Sequence, residues 1–206
     1  MSIKLIAIDI DGTLLNSKRE ITPRVKAALN AASAQGVYVV LCTGRPRSGI
    51  LPHFEKLGLS EEEYIIMNNG CSTYETKNWN LLQYESLSRS EMEELLQACE
   101  GFPEVALTFT GEKTYYVVGD EVPELVAYDA STVFTEAKAR SLEEIFVEGQ
   151  VIFQAMYMAD SEPLDAFQNA VQDRLSQSYS TVRSQDYIFE IMPQGATKAS
   201  GLKHLA

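Results

Sequence analysis

The chain has 206 residues, 45% of them hydrophobic, which suits one medium domain or a core carrying a smaller insert. Seventeen Lys and Arg against twenty-nine Asp and Glu leave a net charge of -12, which repels the phosphate backbone of nucleic acid and an anionic membrane surface; neither is expected as a partner. A small anionic substrate would need locally placed cations, and a metal, to offset that field.

The first apolar run, Ile3 to Ile8, is too short for the core of a signal peptide and is interrupted by Asp9 and Asp11. No later run approaches membrane-spanning length, so a cytoplasmic protein is expected. Ile3 to Ile8, Val37 to Cys42 and Tyr64 to Met67 are short, continuous and rich in branched residues, the pattern of parallel strands covered on both faces. Between the first two, Thr22-Pro23 offers an N-cap and a first-turn proline, and Val25, Ala28, Leu29 and Ala32 recur at helical spacing before Gly36. Between the second and third, Pro46 opens a helix carrying Ile50, Leu51, Phe54 and Leu57 and closed by Gly58. The order β-α-β-α-β predicts a parallel sheet wound right-handed, with helices on both sides.

From about Leu81 the rhythm changes. Ser90 with Glu93 reads as a capping box ahead of Leu95 and Leu96, and Val105 to Phe109 and Thr114 to Val118 flank Thr110-Gly111-Glu112-Lys113 as a hairpin. Val151 to Met158 predicts a strand, Leu164 to Leu175 a helix and Tyr187 to Met192 a last strand. This stretch is expected to be an inserted α+β unit over 82–192, between a first core segment, 1–81, and a second, 193–206. Cys42, Cys71 and Cys99 are odd in number and form no CxxC pair, so they read as reduced, mostly buried thiols.

Asp9 and Asp11 directly follow the first predicted strand, where the carboxyl ends of parallel strands open a ligand crevice. In extended chain, residues two apart point the same way, so the two carboxylates are expected to face one small volume. Like charges about 4 Å apart repel by roughly 4 kcal/mol at an effective dielectric near 20, which calls for a cation, a shared proton or separation. Mg²⁺ is the natural cation for oxygen ligands beside a phosphate, and Gly12 lets backbone N–H groups turn toward an anion. Capping of the next element is the alternative use of either aspartate. An EF-hand spacing at Asp9, Asp11, Thr13 and Glu20 fails because Leu14 occupies the sharp-turn glycine position and a strand precedes the loop.

Thr43-Gly44-Arg45 follows the second strand and enters a helix, so the Thr43 hydroxyl and nearby N–H groups can meet a phosphate; an ordinary threonine cap is the alternative. Asn69-Gly70 ends the third strand as a turn, with Asn69 a secondary candidate for substrate contact. Gly195-Ala196-Thr197-Lys198 leads into a last helix; Lys198 in its first turn opposes the helix dipole and calls for a compensating anion.

Taken together, Asp9-x-Asp11-Gly12-Thr13, Thr43-Gly44-Arg45, Asn69-Gly70 and Gly195-x-Thr197-Lys198 closely resemble the motifs of the haloacid dehalogenase superfamily. The particular likeness is to its Cof-type phosphatases, with a large cap between the second and third motifs. The resemblance implies an α/β fold, a Rossmann-like parallel-sheet core with an inserted α+β cap. It implies Asp9 as the nucleophile that becomes an aspartyl phosphate and Asp11 as the acid/base. It also implies Mg²⁺ on the Asp9 carboxylate and the Asp11 backbone carbonyl, phosphate binding by Thr43, Gly44 and Lys198, and substrate contacts at Arg45 and Asn69. The implied substrate is a small phosphorylated metabolite.

The family's fourth, acidic motif is absent, because the sequence stops at Ala206 before any such segment. A fragment of a parent of roughly 270 residues is therefore expected, with weak or absent turnover. In the family's strand order the missing strand pairs with the first, so Ile3 to Ile8 is expected to be an apolar edge open to self-association. A phosphotransferase or mutase, and a non-catalytic phosphate-binding or regulatory relic, stand as alternative functions. Tyr115, Tyr116, Tyr157 and Tyr187 fit strand packing better than stacking on a substrate ring. His53 and His204 are expected on helix surfaces.

Overall fold

In the computed structural model, which describes residues 3–59 and 62–205, Leu5–Ile8 forms β1, Pro23–Ser33 α1, Tyr38–Cys42 β2, Arg47–Leu57 α2 and Tyr64–Met67 β3. The three strands pair in parallel, with Ile8 opposite Leu41 and Cys42 opposite Ile66. The Thr22 hydroxyl accepts the Val25 N–H at 3.3 Å and Pro23 occupies the first helical position, so α1 starts at its sequence signal.

Strand β2 shows why its residues run apolar without a break. Val39 and Leu41 pack with Leu29 of α1 and with Ile50 and Leu57 of α2, whereas Val40 and Cys42 pack with Ile66 and with Leu202 and Leu205 from the end of the chain. Successive residues serve opposite faces, and both faces are covered.

The sheet then continues in a way the sequence reading does not foresee. Asn68, Asn69 and Gly70 all adopt positive φ, 49°, 57° and 103°, and reverse the chain tightly. Ser72–Glu75 therefore returns as β4, antiparallel to β3, and Leu81–Tyr84 adds β5, giving the order β1-β2-β3-β4-β5. Among the described residues β1 pairs with β2 alone and lies at the edge of the sheet.

Glu85–Ala196 makes a separate unit; the rest of the chain, to Tyr84 and from Thr197 onward, makes the other. In order, the separate unit contains α3 (Arg89–Ala98), β6 (Ala106–Gly111), β7 (Tyr115–Val118), α4 (Glu124–Thr132), β8 (Lys138–Arg140), α5 (Leu142–Glu148), β9 (Ile152–Met158), α6 (Ser161–Ser178), β10 (Tyr179–Gln185) and β11 (Ile188–Pro193). Its mixed sheet has the order β10-β11-β9-β6-β7-β8, with β7 and β8 parallel and the other neighbours antiparallel. On β9, Ala155 and Tyr157 face a core built with α3 and α6, while Met156 and Met158 face a second core with α4. Helix α7 (Lys198–Leu205) returns to the first unit. The architecture is the expected α/β core with an inserted α+β cap.

Two expectations need correction. The capping box ahead of α3 is Ser88 with Glu91: the Ser88 hydroxyl accepts the Glu91 N–H at 3.3 Å and the Glu91 carboxylate accepts the Ser88 N–H at 2.7 Å. This earlier start turns Met92, Leu95 and Ala98 inward and leaves Glu93 to pair with Arg89 on the surface. His53 is not a surface residue; α2 buries it in register with Ile50 and Leu57. His204 is exposed as expected. Tyr115, Tyr116 and Tyr157 are core residues with tethered hydroxyls, on Asp129, Glu148 and the Leu95 carbonyl respectively. The cysteines are free thiols, Cys42 and Cys71 buried and Cys99 half-buried.

Glu63 is a buried carboxylate that ties the first unit together. It accepts the Ser33 hydroxyl at 2.6 Å and the Val39 N–H at 2.7 Å, and its own N–H donates to the Thr76 hydroxyl at 3.1 Å. The end of α1 and the start of β2 thus meet on one side chain. Glu63→Ala strands the Val39 amide in the interior and is expected to cost about 3 kcal/mol in denaturant unfolding. A loss below about 1 kcal/mol would show that water replaces the carboxylate there.

Candidate active site

Asp9, Thr43 and Asn68 each stand one residue past the ends of β1, β2 and β3, and the parallel pairing brings those three ends side by side. The loop after β1 is anchored by Ile10, Leu14 and Leu15, all buried, and by bonds from the Leu14 N–H to the Asp9 carbonyl and the Leu15 N–H to the Ile10 carbonyl, both 3.0 Å. Gly12, at φ 73°, makes the left-handed step that lets so short a loop close while Asp11, Gly12 and Thr13 stay exposed.

Each aspartate has its own cation. Asp9 Oδ1 accepts the Ile10 N–H at 2.8 Å and the Lys198 ammonium at 3.0 Å. Asp11 takes a two-pronged bond from Arg45, Nε to Oδ2 at 2.7 Å and Nη2 to Oδ1 at 2.8 Å. The repulsion expected between the two carboxylates is met by separate partners. Lys198 finds in Asp9 the anion that its place at the start of α7 requires. Thr197 caps the helix, its hydroxyl accepting the Ser200 N–H at 3.0 Å.

The Arg45 side chain is 12% exposed and the Asp11 side chain 52%. Hydrogen bonding to Arg45 holds the Asp11 carboxyl below the usual carboxylate range against an opposing burial cost, and the charges of Arg45, Arg19 and His53 help. A depressed carboxyl stabilises the fold at pH above its unfolded value and loses that contribution as pH falls through the folded one. Burial, with Arg45 and Lys56 adding, lowers the pKa of His53, so it is neutral at pH 7. Sequence reasoning missed this neighbour of Arg45 and Asp11. The signal was its spacing, three residues after Ile50 and four before Leu57.

Thr43 is buried, and its backbone is spent on β3 and the turn beyond it: its N–H donates to the Ile66 carbonyl at 2.9 Å and its carbonyl accepts the Asn69 N–H at 3.0 Å. Its hydroxyl accepts the Arg45 N–H at 3.1 Å, which leaves the hydroxyl proton to donate. Gly44 lies against the Asn69 amide, and a Cβ there would come within 2.9 Å of Asn69 Oδ1. Arg45 is engaged with Asp11, and Asn69 with Gly44. Burial pushes the Cys42 thiol up to about 11, with Lys198 lowering and Asp9 raising it, so this neighbour of the ion pair stays protonated. Among the described residues no three His, Cys, Asp or Glu stand together as metal ligands, and no helix is long and apolar enough to cross a membrane.

Removing the guanidinium takes away the group that favours the charged form of Asp11. Arg45→Gln should therefore raise the Asp11 titration midpoint, followed by carboxyl carbon NMR. An unmoved midpoint would mean that the two-pronged bond does not persist in solution.

Comparison with known proteins bears on this arrangement. The sequence profile of the haloacid dehalogenase-like hydrolases matches residues 6–206. YxeH of Bacillus subtilis is 30% identical over 204 residues, spanning 98% of this chain and 75% of that protein. The phosphatase YwpJ of the same organism is 28% identical over 227 residues, spanning 99% and 78%. A haloacid dehalogenase-like hydrolase from Bacteroides thetaiotaomicron superposes with a TM-score of 0.83 at 24% identity, covering 99% of this chain and 76% of that one. The chain belongs to the haloacid dehalogenase-like hydrolases, in their Cof-type phosphatase lineage.

Proposed function

We propose that this chain is built to hydrolyse phosphate esters of small metabolites in the cytoplasm through an aspartyl phosphate on Asp9. The observation that carries the reading is the Lys198–Asp9 bond of 3.0 Å at the ends of the parallel strands. Among the described residues both hydrogen bonds to the Asp9 side chain fall on Oδ1, so Oδ2 is the oxygen presented for attack.

In the proposed reaction Oδ2 bonds to phosphorus as the bond from phosphorus to the ester oxygen breaks, and that oxygen leaves with a proton from Asp11. Asp11 then takes a proton from water, which attacks the aspartyl phosphate and returns Asp9 as a carboxylate with release of phosphate. Lys198 and the Thr43 hydroxyl hold the transferring oxygens, and positioning and charge neutralisation supply most of the rate. While the Arg45 fork is in place Asp11 is a carboxylate and cannot serve as the acid. Phosphate binding must therefore draw Arg45 away from it, which also gives Arg45 its substrate contact.

The donors at hand, the Asp9 carboxylate and the Asp11 backbone carbonyl, are hard oxygens. They suit Mg²⁺, which binds through one or two carboxylates and substrate phosphate and keeps several waters. Bound there, Mg²⁺ would neutralise charge on the phosphoryl group. Asp9 is the one carboxylate in this donor set, so metal affinity should be low and turnover weak. The same observation favours, as a second reading, a protein that binds phosphate without turning it over.

Asp9→Asn and Lys198→Ala separate these readings. Hydrolysis of p-nitrophenyl phosphate in excess Mg²⁺ should fall by at least about a hundredfold in Asp9→Asn. Activity that survives Asp9→Asn removes Asp9 as nucleophile. Phosphate binding that needs Lys198, with no turnover in the unsubstituted chain, selects the second reading. We also propose that the β1 edge supports self-association, seen as a sedimentation coefficient that rises with concentration and is held constant by Ile6→Lys.

A further inference from the structure

We infer that Gly70 is a positioning residue for Lys198, and that the Asn68–Gly70 turn sets the distance between that lysine and Asp9. The inference rests on the phosphate site proposed above. Gly70 is held to glycine by two independent facts. Its φ of 103° is one that other residues rarely adopt, and a Cβ built on it would collide with the Thr197 carbonyl and lie 2.9 Å from the Lys198 nitrogen. The turn and the start of α7 therefore meet backbone to backbone, with no side chain to yield.

The approach continues down the helix. A Cβ on Gly201 would lie 2.9 Å from Ile66 Cγ2 on β3 and 3.6 Å from the Gly70 Cα. Two glycines, one on each element, thus let α7 sit closer to β3 and its turn than side chains would allow. Lys198 is the first residue of that helix, so any outward shift at Gly70 is passed directly to its backbone. The same turn holds the phosphate loop, through the Asn69 N–H on the Thr43 carbonyl at 3.0 Å and the Asn68 N–H on the Arg45 carbonyl at 3.3 Å. One turn thereby sets Lys198 against Asp9 and fixes the threonine loop, though the three segments are far apart in sequence.

The test is a double-mutant cycle of Gly70→Ala and Lys198→Ala, read by calorimetric titration with inorganic phosphate and with Tm measured for each variant. Each single change should weaken phosphate binding by about tenfold or more, and the double variant should bind no more weakly than Lys198→Ala alone. A folded Gly70→Ala that binds like the unsubstituted chain, or two losses that simply multiply, would overturn the assignment. If Gly70→Ala does not fold, Gly201→Ala takes its place, with a smaller loss expected that Ile66→Ala restores; unchanged binding in Gly201→Ala overturns it equally. If the unsubstituted chain binds no phosphate, the site reading fails, and crystals of Gly201→Ala decide the positioning. A Lys198 Nζ to Asp9 Oδ1 separation beyond hydrogen-bond reach supports it, and the original 3.0 Å refutes it.

Discussion

The contact between Lys198 and Asp9 joins residues 189 positions apart, and the chemistry proposed for the core depends on it. A chain with a net charge of -12 offers a phosphate a hostile field, and a bare carboxylate at the end of β1 would add to it. Lys198 compensates that carboxylate, and Asp9 in turn compensates a lysine set against the helix dipole. The pair forms because the chain, on leaving the inserted unit, enters α7 in backbone contact with the turn at Gly70 and packs that helix on Ile66 of β3. Packing and electrostatics are here one constraint, since the glycines that permit the approach also determine where the ammonium lies.

Much of the core was legible because its signals are local. Val37 to Cys42 is apolar without interruption since alternate residues serve two clusters, and Thr22-Pro23 and Gly58 mark helix ends by rules that act within one turn. The motif residues Asp9, Thr43 and Lys198 could be named because strand-end positions and first-turn positions are themselves local. The reversal into β4 and β5 was not legible: Asn69-Gly70 announces a turn, but not that Asn68, Asn69 and Gly70 all take positive φ and send the chain back antiparallel to β3. Serine followed three residues later by glutamate occurs at both Ser88 and Ser90, and burial of Met92 and Leu95, a tertiary fact, selects the first. Short elements such as β8 and α4 carry too little periodicity to rise above their loops.

The partners of the two carboxylates were the least accessible feature. Spacing by two in extended chain puts Asp9 and Asp11 on one side, which suggests a shared cation. Instead the positive φ of Gly12 turns the loop back after Asp11, and Arg45, anchored at the start of α2, takes both of its oxygens. Which cation meets which anion depends on the lateral spacing of β1 and β2, and no local rule encodes that. The result is chemically consequential, because it gives two identical side chains different work. In the proposed reaction the carboxylate on a lysine keeps one oxygen for attack, while the one in an arginine fork would have to exchange that fork for a proton before acting.

That exchange bears on the need for a metal. Two carboxylates and an arriving phosphate dianion outnumber the directly bonded Lys198 and Arg45 by about two charges, a deficit that Arg19, acting on Asp11 through space, offsets only in part. His53 is buried and neutral at pH 7, and Arg47 lies over the Trp79 ring at 4.7 Å, a cation–π contact. In the proposed reaction a divalent cation would make up this deficit, and the oxygens of Asp9 and the Asp11 backbone are of the type that would hold it. Moving the Lys198 ammonium out of hydrogen-bond range would leave the Asp9 carboxylate without its counter-charge and enlarge that deficit.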